Sequence, residues 1–129
     1  MLQDSYAFSG FSTNNLDETR RFYQDVLGLN VNEIAPMGLL ELNFSSGAKV
    51  IIYPKDDHQA ATFTVLNFPV SDLDKTVDEL TAKGVVFERY PGFKQDEKGI
   101  ARTENPEYGP DIAWFKDPGG NIIAVMAKV

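Results

Sequence analysis

The chain reads as an α+β protein built from two similar modules, each ordered β-α-β-β-β. Three observations predict this. Asn15-Leu16-Asp17-Glu18-Thr19 and Asp72-Leu73-Asp74-Lys75-Thr76 share one pattern, a polar cap, Leu, Asp, any residue and Thr, 57 positions apart. Each follows an extended segment, Tyr6 to Thr13 or Thr62 to Val70, and opens an amphipathic run that stops at Gly28 or Gly84. Strand-like segments then follow both runs.

The elements can be justified in order. Asn15 with Glu18, and Ser71 with Asp74, have the spacing of a side-chain cap and its reciprocal acid at a helix start. Leu16, Phe22, Tyr23, Val26 and Leu27 make the apolar face of the first helix, and Leu73, Val77 and Leu80 that of the second. The glycine after each run takes the left-handed conformation that ends a helix. After Gly28 come strands at Leu29–Ala35, Leu39–Phe44 and Val50–Tyr53, separated by the turns Pro36-Met37-Gly38 and Ser45-Ser46-Gly47. After Gly84 come Val85–Tyr90, Ile112–Phe115 and Asn121–Ala127, with Asp117-Pro118-Gly119-Gly120 as the turn before the last. Module one covers about residues 1–57 and module two about 61–129, in one domain, with a linker around His58 to Ala61. The segment 91–110 lacks a period and is rich in Gly, Pro and charge, which marks a functional or mobile loop.

Composition removes several function classes. The 129 residues suffice for one packed domain. A net charge of −7 opposes contact with nucleic acid or an anionic membrane surface, because phosphate binding needs clustered Lys and Arg. No apolar run is long enough to span a bilayer, and the first residues lack a secretory signal pattern. There is no cysteine, so disulfides and thiolate sites are excluded. The expected location is the cytoplasm.

The stretch from Asn15 to Leu29, with Phe22-Tyr23-Gln24-Asp25-Val26-Leu27-Gly28, resembles the first-helix signature of the vicinal-oxygen-chelate (glyoxalase/bleomycin-resistance/extradiol-dioxygenase) superfamily. Trp114-Phe115-Lys116-Asp117-Pro118-Gly119-Gly120-Asn121 is similar to its closing hairpin. The resemblance implies a curved, mostly antiparallel mixed sheet around a cup, with the helices outside. It also implies pairing of two copies, so a homodimer is expected. Enzymes of this superfamily hold a divalent metal with inward His, Glu or Gln side chains on the first and last strands of each module. Those positions fall here on Phe8, Val65, Ile52 (or Ile51 after a one-residue slip) and Ala124, none of which offers a lone pair. No metal and no other cofactor is therefore expected. The single histidine, His58, lies in the linker as a solvated side chain. No histidine is expected near a serine, and Glu41 or Tyr53 are the only candidates for metal-free acid–base chemistry.

Strand alternation then gives the cup lining. Phe8, Gly10 and Ser12 face inward from the first strand, Val50 and Ile52 from the fourth, and Phe63, Val65, Asn67 and Pro69 from the fifth. Ile122, Ala124 and Met126 do so from the last, while Glu41 and Asn43 add polar groups. Tyr90, Phe93, Trp114, Phe115 and Tyr108 cluster around the long loop, where aromatic rings clamp a flat ligand. Asp96, Glu97, Glu104, Glu107 and Asp111 surround them, with Lys94, Lys98 and Arg102 as partial compensation, and such a rim suits a cationic aromatic ligand. The candidate ligand site is thus Phe8, Ser12, Glu41, Asn43, Ile52, Val65, Asn67, Tyr90, Phe93, Trp114, Phe115, Ala124 and Met126. The leading function is metal-free binding or sequestration of a small cationic or aromatic molecule. The alternatives are a glyoxalase- or dioxygenase-like enzyme with a displaced or absent metal site, and a structural or regulatory module whose cup is plugged.

Overall fold

The computed structural model describes residues 1–128. The chain divides into two compact units, Met1–Gln59 and Ala60–Val129. In the first, β1 (Ser9–Thr13) leads into α1 (Leu16–Arg21), followed by β2 (Asn30–Ile34), β3 (Leu39–Asn43) and β4 (Lys49–Pro54). The sheet runs β1-β4-β3-β2, with β1 parallel to β4 and the other pairs antiparallel. In the second unit, β5 (Thr64–Val70), α2 (Leu73–Ala82), β6 (Ile112–Lys116) and β7 (Ile122–Ala127) give a sheet ordered β5-β7-β6. There β5 is parallel to β7, and β6 antiparallel to it.

Both helix starts are capped, one of them a residue later than its reciprocal-acid spacing suggests. The Asn15 carboxamide accepts from the Glu18 N–H at 3.2 Å. In module two the cap is Asp72, not Ser71, and it accepts from the Lys75 N–H at 3.0 Å. Asp72 is the residue that the 57-position repeat sets against Asn15, so the repeat located the cap better than the local motif. The first helix does not stay α-helical to Gly28. After Arg21 it widens into a π turn over Phe22–Val26, where the Leu27 N–H reaches back to the Phe22 carbonyl. Gly28 and Gly84 both have positive φ, 72° and 95°, as helix-ending glycines do.

One face of the first sheet forms the core under α1. Leu40, Leu42 and Ile52 are fully buried, and the Phe11 ring lies 6.4 Å from Tyr23, itself fully buried. The hydroxyl of Thr13 meets that of Thr19 at 2.9 Å. Each fully buried aliphatic side chain contributes roughly 1.5–3 kcal/mol. In module two Leu73, Val77 and Leu80 on α2 are buried, as are Phe115, Ile123 and Val125 on one side of the sheet.

The expected strand at Val85–Tyr90 is replaced by a single bridge, Phe87 to Phe115. The outer edge of β6 is shared: Phe87 and Glu88 take one end, and Ala101 pairs with Ile112 at the other. Between them the chain turns away, and a side chain substitutes for the missing strand partner. The Gln95 carboxamide accepts from the Tyr90 N–H and donates to the carbonyls of Glu88 and Gly99, each at 2.8 Å.

The segment 91–110 is tied down along its length. Arg89 donates to the Asp96 and Glu97 carbonyls. The Asp96 carboxylate accepts from the Lys98 and Ile100 N–H groups and from Arg102. Arg102 and Lys98 in turn pair with Asp74 and Asp78 on α2. The Asp117 turn is equally closed: its carboxylate accepts from the Gly119 and Asn121 N–H groups at 2.9 Å. The Asp-Pro-Gly-Gly-Asn motif is therefore structural, a side chain holding a hairpin.

Candidate ligand pocket in the second module

The β6 strand points Ile112, Trp114 and Lys116 to the side of the sheet away from Phe115, and β7 sends Ile122, Ala124 and Met126 the same way. Trp114 stands opposite Ala124, whose methyl group leaves room for the indole. Trp114, Ala124 and Ala101 form a small core against which Tyr90, Ile112, Ile122 and Met126 pack. The turn fixed by Gln95 brings in two more rings. Tyr90 meets Trp114 edge-to-face at 5.5 Å, and Phe93 lies 4.8 Å from it at a tilt of 52°. Each such pair adds about 0.5–1.5 kcal/mol beyond burial.

Beside these rings is a cavity of about 460 Å³. Tyr90, Phe93, Trp114 and Phe63 supply aromatic surface, Ile122 an alkyl group, and Thr62 and Thr64 hydroxyls. Phe63 and Phe93 remain 68% and 53% exposed, so their rings are open to a ligand. Two other depressions in this module, about 420 and 360 Å³, are lined by Lys, Asp, Pro and Thr and contain no aromatic ring. The aromatic cavity has the make-up of a small-molecule site, and its volume exceeds the roughly 300 Å³ such sites need.

Of the expected site residues, Tyr90, Phe93 and Trp114 line this cavity, and Ala124 and Met126 pack behind it. Phe115 does not: it is fully buried on the opposite face, edge-to-face with Phe87 at 5.7 Å. Asn67 shares the row of Ala124 but is exposed. A bulge between Thr64 and Leu66 shifts the register, so Thr64 rather than Val65 stands opposite Ile122. Thr62, Thr64 and Gln95 were not among the expected residues. A bulge leaves no mark in hydrophobic alternation, and nothing in the local sequence tells a strand-substituting glutamine from a solvated one.

In module one, Phe8 precedes β1 and is 68% exposed. Ile52 pairs with Leu40 and Phe11 on the buried helix side, so it is core, not lining. The slip puts Ile51 and Tyr53 on the other face with Ser12, Glu41 and Asn43. That face is polar and paired within itself. Glu41 meets the Lys49 ammonium at 3.6 Å, not a second carboxylate. Asn43 donates to the Glu41 carbonyl at 3.4 Å. His58 is no solvated linker residue: its Nδ1 lies 2.6 Å from Ser12 Oγ, and both are half-buried. The pair is separated by 46 positions, too far for local motifs to reveal.

Two of the loop acids expected to attract a cation, Asp96 and Asp111, are engaged elsewhere. Arg102 pairs with both Asp96, at 3.0 Å, and Asp111, at 3.4 Å. Burial would raise the Asp96 carboxyl, but the Ile100 and Lys98 amides and Arg102 hold it below the usual range. Hydrogen bonds from Arg102 similarly depress Asp74.

The sequence model of the Glyoxalase/Bleomycin resistance protein/Dioxygenase superfamily matches residues 6–125. The chain belongs to that superfamily. The protein YraH of Bacillus subtilis (strain 168) is 26% identical over 125 residues, covering 87% of this chain and 89% of YraH. Solved structures of similar fold include a resistance protein and an antibiotic binding protein. The fosfomycin resistance protein FosX from Listeria monocytogenes superposes with a TM-score of 0.69 at 17% identity, over 95% of this chain and 92% of its own. TnmS3, an antibiotic binding protein from Streptomyces sp. CB03234, gives 0.68 at 17%, over 95% and 96%. Alkyl or phenyl groups stand at the positions the resemblance marks for ligands. Among the described residues no three His, Cys, Asp or Glu side chains converge. Among them, too, no helix is long and apolar enough to cross a membrane.

Proposed function

We propose that this protein binds a small, flat, largely apolar molecule in the Trp114 pocket of module two, as a binding or sequestering member of the superfamily. The observation that carries this reading is the cavity itself, about 460 Å³ and walled by four aromatic rings. No carboxylate lines it, which favours a neutral aromatic over a cation. Its volume speaks against a plugged cup. The reading includes a homodimer in the cytoplasm, with the dimer checked by sedimentation.

The chain has one tryptophan, so a ¹⁵N-labelled sample gives one indole resonance, and it reports from the pocket. Titration with naphthalene is expected to shift that resonance saturably, with a Kd of roughly 10 µM to 1 mM for a ligand of this size. An indole signal indifferent to naphthalene and to larger neutral aromatics would remove the reading.

The Ser12–His58 pair favours a second, metal-free catalytic reading, in which His58 takes the Ser12 proton as the oxygen attacks an activated ester. A stoichiometric burst of p-nitrophenol from p-nitrophenyl acetate, absent in Ser12→Ala, would support it. Equal release by both proteins would eliminate it.

A further inference from the structure

We propose that the Tyr90 hydroxyl is the polar anchor of this pocket, and that the ligand is a planar aromatic compound with a carbonyl oxygen that accepts its hydrogen bond. The proposal rests on the pocket reading above and narrows its ligand class.

The Tyr90 hydroxyl is enclosed by protein and has no hydrogen-bond partner. Among the described residues, no other buried side-chain oxygen or nitrogen is in that state. Native chains seldom tolerate this, because the group has lost water and gained nothing in exchange. Phenylalanine would make the same edge-to-face contact with Trp114 without that penalty. Nor is Tyr90 loosely held, since its N–H is fixed by Gln95 at 2.8 Å. A residue this well positioned, carrying a costly unused donor on a ring that lines the cavity, is what a binding site looks like before its ligand arrives.

The chemistry of the donor sets the ligand class. Burial pushes the phenol above its ordinary value of 10.0, so at neutral pH the group stays protonated and donates. Its natural partner is a neutral acceptor, since no cationic side chain lines the cavity to accompany an anion. The aromatic walls select a planar body, and the cavity accommodates a bicyclic one. The hydroxyl is closed off in the free protein, so the ligand reaches it by shifting a wall of the pocket, a movement offset by burial of its own rings.

The test compares coumarin, a flat bicycle with a carbonyl, with naphthalene, a similar bicycle without one, by calorimetric titration of wild type and Tyr90→Phe. Wild type is expected to bind coumarin roughly tenfold more tightly than the variant does, with naphthalene binding both alike. The ligand-free variant is expected to melt about 2–4 °C higher, because an unsatisfied group has been removed. If neither compound binds wild type, the pocket reading fails and this proposal with it. If both bind wild type and Tyr90→Phe leaves coumarin affinity unchanged, the pocket stands and the anchor is refuted. A lower melting temperature of Tyr90→Phe also refutes it, since the hydroxyl would then have a structural partner.

Discussion

The two modules share a plan yet differ on the sheet face turned away from their helices. In module one that face carries Ser12, Glu41, Asn43, Ile51 and Tyr53, and its polar groups find partners close by: Glu41 in Lys49, Ser12 in His58. In module two the same side carries Trp114, Ile122, Ala124 and Met126, joined by Tyr90 and Phe93, and leaves a cavity and an unpaired hydroxyl. The caps, the glycine stops and the parallel pairing of first and last strands are common to both. A repeated backbone therefore offers the same sheet face twice, and a handful of side chains decide which copy carries an aromatic pocket.

The comparison is broken most severely by truncating one large residue in each module. Trp114→Ala is expected to cost about 3–5 kcal/mol and Ile52→Ala about 2–5 kcal/mol, read from urea unfolding. Only the first should abolish naphthalene binding. Loss of binding in a folded Ile52→Ala protein would mean that module one contributes to the pocket.

A smaller effect is expected at Gln95. Gln95→Leu leaves the Tyr90 N–H and two carbonyls without their partner, at a cost of about 1–3 kcal/mol. Naphthalene affinity should fall roughly tenfold, with a visible change in the near-ultraviolet dichroism of Trp114. Unchanged dichroism would show that the Tyr90–Phe93 turn holds its shape without the carboxamide.

The mildest change is acid. Asp74 and Asp96 have carboxyls depressed in the folded chain, so they stabilise it above the ordinary aspartate value of 3.8. That contribution is lost as pH falls through their lower folded values. Stability should therefore be flat above about pH 5 and decline below about pH 4, the decline being shallower in Arg102→Gln. Asp74 and Arg102 are about half exposed, so solvent screening keeps the difference small. Identical acid limbs in both proteins would remove Arg102 from the account.

Much of the fold was legible because it is encoded locally. The cap pattern, the glycine stops and the Asp117 turn are short-range devices, and their repetition exposed the duplication. Trp114, Tyr90 and Phe93 were legible as a group because aromatic residues crowd one stretch. What escaped depended on pairing across distance. The face of Ile52 turned on a register that alternation leaves ambiguous by one residue. The replacement of a strand at Val85–Tyr90 by Gln95, the bulge that installs Thr64, and the meeting of Ser12 with His58 are fixed by tertiary packing. The loop acids and Arg102 were visible in the sequence, but not the pairing of Arg102 with Asp96 and Asp111.

We propose that ligand binding belongs to the module-two face and not to its module-one counterpart. Backbone amide shifts of ¹⁵N-labelled protein, mapped during a coumarin titration, test it most directly. The account predicts saturable changes at residues 62–64, 90–93, 114 and 122, with Ser12, Glu41 and His58 unmoved. Changes centred on Ser12, Glu41 and His58, with Trp114 silent, would contradict it.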